Sequence, residues 1–375
     1  MAYTVLARRY RSRDFDEVVG QEPVARTLKN AIDADRVAHA YLFTGTRGVG
    51  KTSMARIFAK ALNGGSDEID QAIMEGRDTD VLEIDGASHN KVDEAREVIA
   101  NSAYRPMRGK YKIYIIDEVH MLSGAAFNAL LKTMEEPPEH VKFILCTTEA
   151  HKVPATIQSR CQRFDFRSIP TGRITEHLGE VIKAEGLEAD PEVVHRVARL
   201  GNGSMRDALS LLDRLMATGE KKLTEGILED LLGLADRELV GQLIDAAADG
   251  EPAPALQSAA ALLANGASPD QALEAMLERL RDLMVMAACG PGTELVELSD
   301  EVRAEEAERA KRFDAAGLVH MIALCESVQR AIKTSSVPRA LFDAAVVRLA
   351  QTEKLADVTA LARELKPNGV PAKKA

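Results

Sequence analysis

The sequence contains no tryptophan, and only 4% of its 375 residues are aromatic. The sequence therefore offers little with which to stack bases and hold single strands. It has only four cysteines, Cys146, Cys161, Cys289 and Cys325, and none forms a CxxC pair. That leaves no disulfide framework and suits a reducing, cytoplasmic setting. No apolar run approaches the roughly 20 residues that cross a bilayer. The opening "MAYTVLARRYRSRDF" lacks the apolar core of a secretory signal, so no membrane partner is expected. Basic residues are also in deficit, 48 against 58 acids for a net charge of -10. A surface that coats nucleic acid everywhere is thereby excluded.

Charge is local, however. From Lys91 to Lys112 six Lys/Arg stand against three acids, and from His151 to Arg173 five stand against one. Two basic islands in an acidic chain can form a phosphate-binding surface that the total conceals. The second island holds the loop "SRC", with Arg160 between two strand patterns.

The first 170 or so residues alternate β-rich runs with amphipathic helical patterns. "YLFT", "VLEID", "KIYIID", "KFILCTT" and "RFDF" read as five strands of a parallel sheet flanked by helices. Met54, Ile57, Phe58, Ala61 and Leu62 form one apolar helical stripe, and Phe127, Leu130, Leu131 and Met134 another. Strand signals stop near Pro170. The spacing then predicts a small helical domain over 171–235 and an all-α domain over 236–366, with 367–375 as a tail or the start of a linker.

Chemistry concentrates in "GTRGVGKT", Gly45, Thr46, Arg47, Gly48, Val49, Gly50, Lys51 and Thr52, followed by Ser53. It matches the phosphate-binding pattern and stands between a strand and a helix, as that pattern requires. Glycines let backbone N–H groups curl around phosphates, Lys51 reaches the outer ones, and the Thr52 hydroxyl can ligate Mg²⁺. The strand "KIYIID" delivers Asp117 as a second Mg²⁺ ligand, and Glu118 follows to orient or deprotonate water. ATP and Mg²⁺ are the expected cofactors. Thr148, at a strand end, fits either a γ-phosphate sensor or a cap for the next turn. Arg206, in the first turn of a helix, is badly placed for the helix dipole, so it suits an anionic partner or solvent.

Taken in order, "GTRGVGKT", "IIDEVH", "ALLKTMEEPPEHVKFILCTTE", "IQSRCQRF" and "GSMRDALSLLD" resemble the gamma/tau subunit family of the bacterial DNA polymerase III clamp loader. The resemblance implies an AAA+ ATPase module over 1–170, the helical lid and an α-helical collar, and so the first three domains of the family. It implies a five-membered assembly with delta-type and delta-prime-type subunits and further copies of the chain. Such an assembly opens a sliding clamp and places it on primed-template DNA. It makes Arg160 an arginine finger acting on a neighbour's nucleotide and Arg206 a group acting on its own. Ala7, Tyr10, Arg11, Val18 and Val19 fall where the family builds its adenine pocket. His89, Lys91, Arg96, Lys152 and Thr156 fall at its DNA-tracking positions, and helix starts bearing lysine suit phosphate contacts.

One departure stands out. Family members usually carry a four-cysteine zinc knob before "VLEID", where this sequence has "ALNGGSDEIDQAIMEGRDTD". Zinc needs four suitably spaced ligands, so none is expected here. "GGS" reads as a short flexible linker, natural or introduced, and the cysteines as small buried residues. Two alternatives are a branch-migration helicase of the same AAA+ class and a non-catalytic loader subunit. The first lacks support from any winged-helix pattern after the helical block. The second should have lost Lys51 and Glu118, and both are present.

Overall fold

A computed structural model describes residues 4–87, 102, 104–298 and 300–351. His89, Lys91, Arg96 and the expected tail lie outside the described residues. The chain divides into two compact units, one holding residues up to Ala189 with Val194–Lys221, the other Asp190–Val193 with the chain from Lys222 onward.

The first unit is built on five parallel strands, β1 (Ala40–Thr44), β2 (Val81–Asp85), β3 (Lys112–Asp117), β4 (Val141–Thr147) and β5 (Gln162–Asp165). Their order across the sheet is β2-β3-β4-β1-β5. The sheet is buried on both faces, so its central strands are mainly apolar. Tyr41, Phe43, Ile113, Ile115, Ile144 and Cys146 face the helices Glu22–Asp33 and Lys51–Asn63. Leu42, Tyr114, Ile116, Phe143 and Leu145 face Phe127, Leu130, Met134 and Ile157 on the other side. At the sheet's edge β5 exposes Gln162 and Arg163, polar groups that discourage further strand pairing. The range 171–235 is helical as expected, with helices Thr171–Ala184, Pro191–Leu200, Met205–Met216 and Glu225–Leu232.

Three local expectations need correction. In the helix after the P-loop, Ala61 is exposed, and Ala55 and Ala59 join Met54, Ile57 and Phe58 in the core instead. Of "GGS", Gly64 and Gly65 are the exposed connection between two helices, whereas Ser66 already belongs to the second. Ser66 caps the helix Asp67–Glu75 by accepting from the Ile69 N–H at 3.4 Å, and acids crowd its first turn where the dipole favours them. Cysteine burial holds for Cys146 and Cys325, whereas Cys289, at the end of a long helix, is exposed.

The second unit is helical. Its core gathers Leu243, Leu273, Met276, Leu280, Leu318, Cys325, Phe342 and Val346 from the helices between Arg237 and Leu349. Asp236 caps the first of them, accepting from the N–H groups of Glu238 and Leu239. Ser268 and Gln271 form a reciprocal capping box on the helix Pro269–Cys289. No helix among the described residues is long and apolar enough to cross a membrane.

Candidate active site

The parallel register decides where the site forms. Thr44 ends β1 opposite Thr147 of β4, and β3 delivers Asp117 beside Asp85 of β2. The carboxyl ends of the strands therefore bring "GTRGVGKT", "DE" and "TT" to one edge, the position where ligands bind on open α/β sheets.

The phosphate loop leads into the helix Lys51–Asn63, with Gly50 as its left-handed N-cap. Gly48 has φ +77, and a Cβ there would run into the Ser204 side chain, with the Arg206 Cβ at 3.4 Å. The backbone N–H of Arg206 also approaches the Gly48 carbonyl at 3.5 Å. The helix Met205–Met216 thus packs its first turn directly on the phosphate loop. Gly48→Ala should weaken nucleotide binding at least about tenfold and destabilise the unit by about 1–3 kcal/mol, the usual cost of a strained backbone conformation. A nucleotide titration and a thermal melt, both unchanged, would contradict this packing.

Lys51 is buried, and its Nζ donates to the carbonyls of Gly45 at 2.8 Å and Thr46 at 2.7 Å. Burial holds its ammonium below the ordinary lysine value, Arg206 adds to that effect, and Cys146, Glu118 and Asp117 oppose it. A buried cation satisfied only by carbonyls is compensated by an incoming phosphate. Thr52 Oγ1 donates to Asp117 Oδ2 at 2.7 Å, so a hydroxyl and a carboxylate converge at the helix start. Both are hard oxygen donors of the kind Mg²⁺ takes in phosphate sites.

Glu118 adopts φ 45 and ψ 46, a left-handed conformation rare for a residue with a side chain. The turn is locked from both sides. Its N–H donates to Asp117 Oδ1 at 3.0 Å, and Gly86 donates to the Asp117 carbonyl at 2.8 Å. A Cβ on Gly86 would stand 2.7 Å from the Glu118 carbonyl, so the close approach of β2 requires glycine. Thr148 Oγ1 donates to Glu118 Oε2 at 3.1 Å. His120 joins them, with Nδ1 3.0 Å from Thr147 Oγ1 and 3.3 Å from Glu118 Oε2.

A cleft runs from this edge beneath the helix bearing Arg206. Ala7, Tyr10, Arg11, Val18 and Val19 line it together with Arg47 to Ser53, Asp117, Glu118 and Arg206. Gly45 and Thr46, expected beside the nucleotide, do not line it; their carbonyls accept from Lys51 instead. Burial, followed by the neighbouring Arg56 and Arg206, keeps the Arg11 guanidinium below its ordinary value. Ile169, His177, Met205 and Leu209 also line the cleft, and sequence reading missed all four. His177, Met205 and Leu209 signalled only membership in helical patterns, and Ile169 lies in the connection before Thr171. Gly86 and His120 were missed as well, although His120 stands inside the quoted string "IIDEVH".

Arg160 stays outside its own cleft. It precedes β5, whose Gln162 pairs with Tyr41 while Asp165 pairs with Thr44 at the P-loop end. Three strand residues separate those levels, about 10 Å. Nη2 of Arg160 meets Glu135 at 2.7 Å and Nη1 meets the Thr156 carbonyl at 2.6 Å. Lys152 is half-exposed and paired with Glu149 at 2.8 Å, and Thr156 is exposed.

A parallel sheet with a P-loop after β1, paired acids after β3 and a helical lid on the loop defines an AAA+ P-loop module. Three family models match consecutive stretches of the chain. They are "DNA polymerase III, delta subunit" over residues 20–170, "DNA polymerase III clamp loader subunit, ATPase lid domain" over 173–221, and "DNA polymerase III subunits gamma and tau domain III" over 223–365. The chain belongs to the gamma/tau family of DNA polymerase III clamp-loader subunits. It is 41% identical over 365 residues to DNA polymerase III subunit tau of Bacillus subtilis (strain 168), covering 94% of this chain and 64% of that protein. Against subunit tau of Escherichia coli (strain K12) it is 42% identical, covering 80% of this chain and 48% of that protein. The gamma subunit of Buchnera aphidicola is 42% identical, covering 66% of this chain and 71% of that protein. The chain therefore spans only about half to two thirds of these tau relatives. Among solved structures, the Thermotoga maritima RuvB Holliday junction branch migration motor aligns with 63% of this chain and 79% of that one, at TM-score 0.47 and 19% identity. That distant likeness plays no part in the assignment.

Proposed function

We propose that this chain is the ATP-hydrolysing motor subunit of a bacterial sliding-clamp loader, acting in the cytoplasm during replication. In this reading it assembles with delta-type and delta-prime-type subunits and further copies of itself into a five-membered complex. The complex opens the clamp and places it on primed-template DNA. The observation that carries the reading is the meeting of the Thr52–Asp117 and Glu118–Thr148 pairs beside Lys51, under a lid that bears Arg206.

Each group has a chemical task. Lys51 and the loop amides neutralise the outer phosphates, and Arg206 adds a cation from the lid side. Thr52 and Asp117 would hold Mg²⁺, which supplies charge neutralisation between phosphate oxygens. Glu118 accepts the proton of the attacking water, and Thr148 fixes the carboxylate that does so. The apolar and aromatic groups around Ala7, Tyr10, Val18 and Val19 suit an adenine ring. Lys152 and Thr156, exposed on a short helical turn and the helix after it, suit phosphate oxygens of a duplex, along with His89, Lys91 and Arg96. Arg160, turned away from its own cleft, serves a neighbouring subunit.

Lys51→Ala tests the site at its base. Calorimetric titration with ATP should show loss of binding, because loop amides alone leave a triphosphate's charge uncompensated. Parent-like affinity in a folded Lys51→Ala protein would contradict the nucleotide reading.

A further inference from the structure

Two of the polar side chains in the apolar part of the cleft are already engaged. The Tyr10 hydroxyl donates to Glu185, and Ser12 Oγ donates to the Glu17 carbonyl at 3.0 Å. Arg11 stands among cations, with Arg56 and Arg206 repelling it, and so belongs to the phosphate side. His177 is different. It projects from the lid helix Thr171–Ala184 and lines the cleft with Ile169, Met205 and Leu209. Ile174, Leu178 and Val181 of the same helix are buried, so packing on either side of His177 fixes where its ring stands. The side chain is 19% exposed, and Nδ1 faces Glu180 Oε2, one turn further along, at 3.7 Å. Among the described residues no group is hydrogen-bonded to Nε2.

Burial holds the imidazole below its ordinary value against the opposing pull of Glu180, so the ring is neutral near pH 7. A neutral imidazole carries one N–H. The negative charge of Glu180 favours the tautomer with that hydrogen on Nδ1, which leaves Nε2 with a lone pair. The cleft therefore holds a hydrogen-bond acceptor in a wall that is otherwise apolar, where an unmatched polar group costs most.

We propose that His177 is a specificity-determining residue, whose Nε2 accepts a hydrogen bond from the 6-amino group of adenine and so selects ATP against GTP. Ala7, Val18, Val19, Met205 and Leu209 give any purine an apolar bed and do not tell one from another. Position 6 does. Adenine carries N–H donors there, whereas guanine carries a carbonyl oxygen, and two lone pairs would meet with no hydrogen between them. A site that hydrogen-bonds one substrate group rejects an analogue lacking it more strongly than apolar fit can. The inference rests on the reading of the cleft as an ATP site.

Calorimetric titration of the chain with ATP, GTP and purine riboside triphosphate, which is ATP without its 6-amino group, tests this. The parent should bind ATP about three- to tenfold more tightly than the purine analogue, the range one hydrogen bond supplies, and at least about tenfold more tightly than GTP. His177→Phe keeps a ring but no acceptor. ATP should weaken, the analogue should stay within about twofold of its parent affinity, and the gap between them should close at least about threefold. His177→Gln puts an amide oxygen near the place of Nε2 and should restore most of the gap. A lid loosened by substitution would instead lower all three affinities together. That result would overturn the inference, as would an unchanged gap in His177→Phe or a gap in His177→Gln no wider than in His177→Phe. A parent that binds ATP no better than the analogue would overturn it too, whereas a parent that binds none of the three would contradict the ATP reading itself.

Discussion

Replacing Glu118 with glutamine should leave ATP affinity within about threefold of the parent and lower turnover by roughly 10²–10⁴, the range a positioned general base supplies. The two effects separate because the Glu118 carboxylate is hydrogen-bonded to Thr148 rather than to Lys51, Thr52 or Asp117. Lys51 is fixed by the Gly45 and Thr46 carbonyls, and Thr52 by Asp117. Glutamine keeps the side chain's length, so the Thr148 hydroxyl retains an oxygen to donate to. What disappears is the capacity to take a proton from water. The variant should therefore accumulate with ATP bound, and under the proposed function it should remain on clamp and DNA. Single-turnover hydrolysis alongside a nucleotide titration distinguishes this from a structural role, in which binding and turnover would fall together.

The left-handed turn at Glu118 shows why part of the site was legible and part was not. The P-loop could be read because glycines, lysine and threonine at fixed spacing have few other uses between a strand and a helix. Asp117 and Glu118 could be read because an apolar strand ended on them at a suitable distance downstream. The central strands were equally legible, since a parallel sheet buried on both faces writes them as mainly apolar runs, while the edge strand β5 showed itself only by the β-rich string around Phe164. Gly86 and His120 depend on which strands become neighbours, and strand order is not written in any local pattern. The apolar wall of Ile169, Met205 and Leu209 is of the same kind, because each residue looks like ordinary helix or loop packing until the lid folds over the loop. The helix Asp67–Glu75 went unread for a different reason. "GGS" was weighted as a flexible run, although Ser66 followed by Asp67 and Glu68 is also a helix start.

Arg160→Ala should have the other large effect, and only in the assembled state. Its own cleft contains neither the guanidinium nor either of its partners, Glu135 and Thr156. ATP binding to the isolated subunit should therefore be unchanged. The contacts given up within the chain are a partly exposed ion pair, worth about 0–1 kcal/mol, and an exposed hydrogen bond to the Thr156 carbonyl, so folding should survive as well. Hydrolysis stimulated by clamp and DNA should fall, by a factor that can reach roughly 10³–10⁵ where an arginine is supplied in trans to a transferring phosphate.

The central claim is that the nucleotide site is built on one chain and completed by the next, and mixed assemblies of two inactive variants test it most directly. One chain carries Lys51→Ala and cannot bind ATP; the other carries Arg160→Ala and cannot assist its neighbour. In assemblies containing both, the Arg160→Ala chain should hydrolyse ATP wherever a Lys51→Ala neighbour presents its intact Arg160. ATPase should then rise well above the sum of the two variants assembled separately. If both chains enter the same assemblies by native mass measurement and turnover stays at that sum, Arg160 does not act across an interface and the claim is wrong.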